Sequence, residues 1–291
     1  MSSTPDNTAR SDINEDTCQF VPATVFDSSI DLAIEVKKQK PFIIRGYCPE
    51  ICDFSVDYLK KHYSDHDTNI LEEEEHSEKY GQVISHYEEA NIGEFIDTLD
   101  EEGSDWYLEQ GNIDQTFPGL KKKLPLSALY KFGTARIVNC WLGPKNTKST
   151  VHYDGDQNFL IQAQGRKLIH LISPIYEKYL YTKSISFYDG FSDVDSFDPD
   201  YTKHPDFKNV MIEQATLHPG DLLYLPPGWW HNVQSLDISV SYNVWWLYPS
   251  EFISYLMKEA LYWAKYLVGL KPPMQKNQSY YYGLLKIILR K

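Results

Sequence analysis

The pattern of hydrophobic and polar residues divides the chain into three parts. Residues 1–18 are polar and acidic without an apolar run, so we expect a disordered leader there. Residues 19–250 hold short apolar runs, and these predict one domain. Residues 251–291 carry apolar residues at helical spacing over a broad face, which predicts a C-terminal helical segment.

Helices and strands are both predicted before residue 130. The run KPFIIRGY (40–47) is a short apolar segment that ends near a glycine, as a buried strand does. FSVDYLKKHY (54–63) and NIGEFIDTLDEE (91–102) place their apolar residues on one helical face. The acidic stretch LEEEEHSEKYG (71–81) predicts a solvated loop or turn, and DWYLEQGN (105–112) predicts a strand and a turn.

After residue 130 the pattern changes to short strands separated by turn residues. The strand-rich segments are ARIVNCWLG, STVHYD, NFLIQAQ, RKLIHLISP, VMIEQATLHPGDLLYLPPGWWHNVQSL and DISVSYNVWWLYP. Repeated short strands predict a barrel or a sandwich. In the last segment Ser239, Ser241, Asn243 and Trp245 share one face, opposite an apolar one. That polar face fits a strand whose inner side meets solvent or a ligand.

The C-terminal segment allows two interpretations. Its broad apolar face either packs on its own domain or forms the contact of a homodimer.

Composition narrows the classes of partner. A net charge of −13 argues against nucleic acid, because a phosphate backbone requires a basic surface, but it allows a local basic pocket for a small acid. The sequence has no apolar run long enough to span a membrane and no signal peptide, so we expect a soluble cytoplasmic protein. The four cysteines lack the spacing of a disulfide framework or a zinc knuckle. A 14% share of aromatic residues favours β structure.

The stretch STVHYDGDQNF (149–159) contains the first candidate chemistry. His152 and Asp154 lie two residues apart, so on a strand their side chains point the same way. A second histidine, His231, follows the rigid turn in PPGWWH. Two histidines and one carboxylate leave open positions on an octahedral iron(II) ion, although zinc accepts the same ligands. Of the other histidines, His170 lies among apolar strand residues and predicts a core histidine, and His218 predicts a turn.

Several motifs carry a resemblance to a known family. They are HYDGDQNF followed by QGRKLIHLISP, then GDLLYLPPGWWHNVQSL, SVSYNVWW, DWYLEQ and KPFIIRGY. These stretches resemble the JmjC/cupin-type iron(II)- and 2-oxoglutarate-dependent oxygenases, in particular the asparaginyl hydroxylase of the hypoxia-inducible factor. The resemblance covers roughly residues 20–250. It implies a mainly β fold with flanking helices: a double-stranded β-helix (jelly-roll or cupin) core with N-terminal α/β elements and C-terminal helices.

The resemblance also implies residue roles. His152, Asp154 and His231 would bind iron(II), and Lys167 would pair with the distal carboxylate of 2-oxoglutarate. The remaining co-substrate pocket would comprise Tyr107, Asn158 and Asn243 as hydrogen-bonding residues, Trp245 as a wall, and Ser149 where the hydroxylase has a threonine. Glu109 stands where the hydroxylase has a glutamine that contacts its substrate, so the substrate is expected to differ.

The predicted function is therefore that of an iron(II)- and 2-oxoglutarate-dependent dioxygenase. It would use O2 to hydroxylate an amino-acid side chain in a protein or peptide, releasing succinate and CO2. Hydroxylation of a small molecule or natural product by the same cofactors is the alternative, since this fold accepts many substrates. Two further hypotheses are demethylation of N-methyl-lysine and a non-catalytic cupin module that binds metal.

Overall fold

The computed structural model describes residues 18–77, 82–101, 104, 106–133, 135–183 and 190–248. The strands are β1 Gln19–Pro22, β2 Val25–Phe26, β3 Phe42–Ile44, β4 Asp67–Ser77, β5 Gln82–Asn91, β6 Leu108–Asn112, β7 Ala135–Gly143, β8 His152–Tyr153, β9 Gln157–Gln164, β10 Lys167–Ile172, β11 Thr182–Lys183, β12 Gly190–Ser192, β13 Met211–Leu217, β14 Leu222–Leu225, β15 Trp230–Ser235 and β16 Ser239–Leu247. The α-helices are α1 Leu32–Val36, α2 Val56–Tyr63, α3 Ile92–Thr98 and α4 Ile113–Thr116. Shorter 3-10 helices occupy Pro49–Asp53, Leu120–Lys122, Ser127–Lys131, Pro174–Tyr179 and Pro205–Asn209.

Two seven-stranded sheets form the body of the protein. The first has the strand order β1-β13-β10-β15-β8-β12-β11, and the second has the order β2-β3-β14-β9-β16-β7-β6. A core between them joins residues of the first sheet (Ile169, Leu171) to residues of the second (Ile43, Leu160, Leu223), all of them buried. This arrangement confirms the expected double-stranded β-helix, a mainly β fold with flanking helices.

The outer face of the second sheet is covered by the N-terminal helices. Leu59 of α2 and Phe95 of α3 share one buried cluster with Leu142 of β7 and Trp246 of β16. The predicted helices at 54–63 and 91–102 are therefore present, with bounds Val56–Tyr63 and Ile92–Thr98. Asn91 caps α3, because its side chain accepts a hydrogen bond from the Gly93 N–H at 2.9 Å.

The expected loop or turn was wrong for residues 71–77, which form the end of β4; residues 78–81 lie outside the described residues, so that part stays a prediction. β4 runs through Ser77 and pairs antiparallel with β5, forming a two-stranded sheet of its own. Glutamate has a low strand propensity, so a run of glutamates carries no strand signal, whereas the pairing uses backbone groups that every residue has. Within the hairpin, residues 78–81 and the side chains of 72–86 lie outside the described part.

Both predicted terminal segments fall outside the described residues, apart from Cys18, which is buried. The leader at 1–18 and the C-terminal helical segment at 251–291, with its proposed dimer contact, therefore stay predictions. In the described part of the chain, no helix is long and apolar enough to cross a membrane.

Candidate metal centre

The three predicted metal ligands come together where two strands of the first sheet meet. His152 of β8 lies directly opposite His231 of β15 in the antiparallel ladder. Asp154 comes directly after β8, and its carboxylate faces the rings of both histidines. The potential ligand atoms of these three residues all lie within 4.8 Å of one another. Strand pairing thus confirms the expected proximity of residues that are far apart in sequence.

Backbone carbonyls fix the orientation of both imidazole rings. His152 Nδ1–H donates a hydrogen bond to the Thr150 carbonyl oxygen at 2.8 Å, and His231 Nδ1–H donates to the Trp229 carbonyl oxygen at 3.0 Å. A carbonyl oxygen only accepts, so the hydrogen of each neutral ring must sit on Nδ1. Nε2 of each ring is then an unprotonated acceptor, which is how metal-binding histidines are commonly held.

Three acceptors consequently converge without a donor between them. The Asp154 carboxylate oxygens lie 3.9 Å from His152 Nε2 and 3.8 Å from His231 Nε2. These distances are too long for hydrogen bonds. Two nitrogen lone pairs and a carboxylate that face one another repel unless a cation lies among them. The donor set is therefore chemically suited to a divalent metal ion.

Burial governs the charge of this cluster. Burial raises the pKa of Asp154, while the neighbouring His152 and a hydrogen bond from the Asn158 side chain lower it. Burial lowers the pKa of His231 to about 3, so this ring is neutral at physiological pH. The Asp154 side chain nevertheless keeps 21% of its surface exposed. The centre is therefore largely buried, but its carboxylate remains accessible to solvent.

His170 has the structural role that the sequence predicted. It is buried, with Nδ1 at 2.8 Å from Ser196 Oγ and Nε2 at 3.0 Å from Gln214 Oε1. Both ring nitrogens are therefore engaged within the fold. Burial lowers the pKa of His170 to about 4, so the ring stays neutral as a core histidine. His218 precedes a turn and is exposed, as expected.

Asn158 and Asn243 line the inner face of the second sheet beside the triad. The Asn243 side-chain amide donates a hydrogen bond to Asn158 Oδ1 at 3.3 Å. Asn158 in turn contacts Asp154 through the hydrogen bond noted above. Asn243 Oδ1 and Asn139 Nδ2 are buried without a hydrogen-bond partner among the described residues. Buried polar atoms of this kind are normally satisfied, so the interior has capacity for a polar ligand.

Lys167 is the clearest sign of an anionic ligand. Lys167 is the first residue of β10 and is only 3% exposed. Its ammonium group forms no hydrogen bond or ion pair within the described part of the chain. Burial lowers its pKa to about 8. A buried ammonium without a counter-charge is unfavourable, and a carboxylate would satisfy it. The distal carboxylate of a dicarboxylic acid such as 2-oxoglutarate fits this requirement.

Aromatic rings form one wall of the interior. The ring centroids of Tyr107 and Trp141 lie 6.2 Å apart, and those of Trp141 and Trp245 lie 6.4 Å apart. Trp245 is opposite Asn158 in the β16–β9 ladder, so it faces the same interior as the polar residues. A Cβ on Gly143 would come within 2.5 Å of the Tyr107 ring, so the glycine lets this ring lie against β7.

Ser149 is placed differently from the other predicted co-substrate residues. Its hydroxyl accepts a hydrogen bond from the Val233 N–H at 3.0 Å. It also lines a separate cavity of about 450 Å³ with Lys148, Asp193 and Asn232, and the triad does not contribute to that lining. A co-substrate contact from Ser149 therefore stays a prediction, with weaker geometric support than the contact from Lys167.

Three residues of the site were not identified from the sequence. Asn139 and Trp141 of β7 face the interior because they pair with Asn243 and Ser241 of β16. Phe191 of β12 stacks on the His152 ring with centroids 5.9 Å apart. Alternation along β7 would have suggested a polar face for Asn139, but only the strand register shows which residues it meets.

The chain is similar to several known proteins. A family model described as a cupin-like domain matches residues 31–252. Lysine-specific demethylase 8 of Xenopus tropicalis is 30% identical over 217 residues, which are 72% of this chain and 48% of that protein. The tRNA wybutosine-synthesizing protein 5 of Homo sapiens is 28% identical over 236 residues, 74% of this chain and 73% of that protein. JmjC domain-containing protein D of Dictyostelium discoideum is 45% identical over 105 residues, 36% of this chain and 23% of that protein.

The chain thus spans about half the length of the demethylase that it matches. The family match covers most of the two-sheet body, including the His-Asp-His cluster and the buried lysine. The chain belongs to the cupin-like domain family, and with its JmjC relatives it falls in the iron(II)- and 2-oxoglutarate-type oxygenase family.

Proposed function

We propose that the protein is an iron(II)- and 2-oxoglutarate-dependent dioxygenase that hydroxylates an amino-acid side chain in a protein or peptide. The observation that carries the proposal is the convergence of two histidine Nε2 atoms with one carboxylate, while Nδ1 of each ring is occupied by a backbone carbonyl. The buried Lys167 supports the co-substrate half of the proposal.

Each residue has a defined part in this proposal. His152, Asp154 and His231 hold the metal, and the backbone carbonyls of Thr150 and Trp229 keep the two rings oriented. When bound, iron(II) with 2-oxoglutarate and dioxygen supplies the hydroxylation of a C–H bond, with release of succinate and CO2.

The chain itself binds and orients the co-substrate. Lys167 supplies a positive charge for the distal carboxylate, and Asn158 holds the Asp154 carboxylate in place. Tyr107, Asn243 and Ser149 offer further hydrogen-bonding groups around the co-substrate. Trp245 and its aromatic neighbours limit the access of water to the reacting centre.

A protein or peptide substrate is favoured by charge. The net charge of −13 repels polyanions such as tRNA and attracts basic protein segments. The relative named a lysine-specific demethylase is consistent with this substrate class. A small-molecule hydroxylase with the same cofactors is the second candidate, because this fold accepts many kinds of substrate. A cupin that binds metal without turnover is the candidate from a different class.

A reducing compartment such as the cytoplasm is part of the proposal. All four cysteines are free, and three of them, Cys18, Cys48 and Cys140, are buried. Free thiols are the usual state of cysteines in a reducing environment.

The test is co-substrate binding and turnover by the full chain. Purified protein is loaded with iron(II) without air, its affinity for 2-oxoglutarate is measured by calorimetry, and succinate is measured after air is admitted. We expect saturable binding of 2-oxoglutarate and slow succinate formation. Asp154→Ala should abolish succinate because one of three metal ligands is lost, and Lys167→Met should weaken binding because the counter-charge is lost.

Two outcomes would separate the candidates. If the iron-loaded protein fails to bind 2-oxoglutarate, the dioxygenase proposal is wrong and the metal-binding module becomes the better description. If 2-oxoglutarate binds and succinate forms, peptides and small molecules are then compared for stimulation of succinate release, and stimulation by small molecules alone would favour the second candidate.

A further inference from the structure

Glu109 lies on the inner face of β6, beside the metal centre but outside its ligand cluster. Leu108 is buried in the outer core with Leu142 of β7, its partner in the ladder. Because side chains alternate along the backbone, Tyr107 points the other way, toward the interior that Trp141 also faces. Leu71 pairs with both Tyr87 and Tyr107, and the Tyr87 hydroxyl reaches Glu109, so Glu109 lies on the same side as Tyr107. Glu109 does not belong to the group of potential ligand atoms around Asp154.

The Glu109 carboxylate is held in place by a neighbour on the hairpin. The Tyr87 hydroxyl of β5 donates a hydrogen bond to Glu109 Oε2 at 2.6 Å. Among the described residues, no lysine or arginine forms an ion pair with Glu109. Burial raises the pKa of Glu109, the Tyr87 hydrogen bond and His152 lower it, and Asp154 raises it. Glu109 is therefore close enough to the centre to interact with its charges, yet it keeps some exposed surface.

We propose that the Glu109 carboxylate, oriented by Tyr87, binds the cationic group of a lysine or arginine side chain of a protein substrate. This inference rests on the proposed function and names its substrate class. A carboxylate only accepts hydrogen bonds, so an ammonium or a guanidinium, which only donates, is its complement. A glutamine at this position would instead pair with a neutral amide.

The charged residues next to Tyr87 agree with a basic substrate. Glu88 and Glu89, which follow Tyr87 on β5, are exposed, so the strand that holds Glu109 in place also carries negative charge. A cation at Glu109 would also compensate a partly buried carboxylate that has no counter-charge in the described part of the protein. The same contact would place the substrate side chain next to the metal centre.

The experiment selects peptides that bind the iron-loaded chain of 291 residues. A phage-displayed library of random peptides is selected without air in the presence of N-oxalylglycine, an unreactive analogue of 2-oxoglutarate. We expect lysine or arginine to be enriched at one position with the wild type and not with Glu109→Gln. A selected peptide should lose affinity about tenfold when its basic residue becomes neutral (citrulline for arginine, norleucine for lysine) or when Glu109 becomes glutamine.

Two further variants separate recognition from folding. Glu109→Asp keeps the charge and should keep the preference for basic residues, whereas Tyr87→Phe should weaken binding but keep the preference. Melting temperatures show whether each variant is folded. Absence of a basic preference in the wild type, or an unchanged preference in folded Glu109→Gln, would overturn the inference. The wild type's affinity for 2-oxoglutarate, measured separately, shows whether the proposed function fails as well.

Discussion

The chemistry of the centre depends on which atom of each side chain is already engaged. The backbone carbonyls of Thr150 and Trp229 accept hydrogen bonds from Nδ1 of the two histidines. The Nε2 atoms are therefore the ring atoms that face the carboxylate. His170 has both nitrogens engaged and is therefore a core residue. Lys167 is the opposite case, a buried donor with no acceptor among the described residues. Hydrogen-bond satisfaction thus separates the candidate ligands and anchors from the structural residues.

The affinity for 2-oxoglutarate should depend on pH through Lys167. Burial lowers the pKa of this ammonium to about 8, and above that pH the positive charge that the distal carboxylate requires is lost. With manganese(II) bound, the dissociation constant should rise roughly tenfold between pH 7 and pH 9. Titration calorimetry at several pH values measures this effect.

The matched control is Lys167→Arg, because arginine keeps its charge throughout this range. Its affinity, whatever its absolute value, should change little with pH. A wild-type affinity that does not change between pH 7 and pH 9 would contradict the prediction. In the ligand-free protein, the lowered pKa means that the unfolded chain binds more protons from about pH 8 to about pH 10.4, so folding should become more favourable as the pH rises through that interval.

At the scale of elements, strand register decides which side chains share the interior. β16 pairs with both β7 and β9, so its polar face meets Asn139 on one side and Asn158 on the other. The β6–β7 ladder is interrupted between Leu108 and Gly111, where Gln110 has a φ of 49°. Irregularities of this kind are common beside active sites, where they redirect a side chain. Here the irregular stretch contains Glu109.

Gly143→Ala should disturb the aromatic wall. The added Cβ would lie 2.5 Å from Tyr107 Cδ2, so the ring must move away from β7. Overpacking of this kind costs about 1–3 kcal/mol of unfolding free energy, and we also expect weaker binding of 2-oxoglutarate. Chemical denaturation and calorimetry measure the two effects.

A double-mutant cycle tests whether the Tyr107 ring causes the losses expected for Gly143→Ala. If the clash is with the Tyr107 ring, the loss caused by Gly143→Ala should largely disappear in a Tyr107→Ala background, because the ring is no longer there. Strictly additive losses in the double variant would show that the clash lies elsewhere.

At the scale of the whole molecule, the site depends on both sheets. The first sheet provides His152, His231 and Lys167, and the second provides Asn158 and Asn243. The inter-sheet core lies between these groups, with Leu171 directly opposite His231 in the ladder. Folding of the two-sheet body and assembly of the site are therefore one event, and ligands of the site bind only the folded state.

Metal and co-substrate together should stabilise the fold. At a ligand concentration of 100 times the dissociation constant, binding to the native state alone adds about 2.7 kcal/mol. For a domain of this size, that corresponds to a rise in melting temperature of roughly 5–10 °C. Differential scanning fluorimetry with manganese(II) and 2-oxoglutarate measures the shift. Asp154→Ala should show little shift, and an equal shift in that variant would mean that the ligands bind elsewhere.

Local patterns in the sequence determined most of the secondary-structure elements and the choice of metal ligands. Periodicity identified KPFIIRGY, the helices near 54–63 and 91–102, and most strands after residue 130, because each of these elements has a buried face that repeats along the chain. The sequence also predicted a metal site. Side chains two residues apart on a strand share a face, which puts His152 beside Asp154, and His231 supplied a third ligand of the expected type.

Only the tertiary structure decided the rest. The acidic hairpin at β4 and β5 pairs through backbone groups, which leave no signal in a run of glutamates. The hydroxyl of Ser149 is bonded to Val233, and Glu109 meets Tyr87 across two strands. These contacts join residues that are distant along the chain, and their partners are set by strand register and sheet packing. Sequence periodicity defines the face on which a side chain lies, whereas packing determines what that face meets.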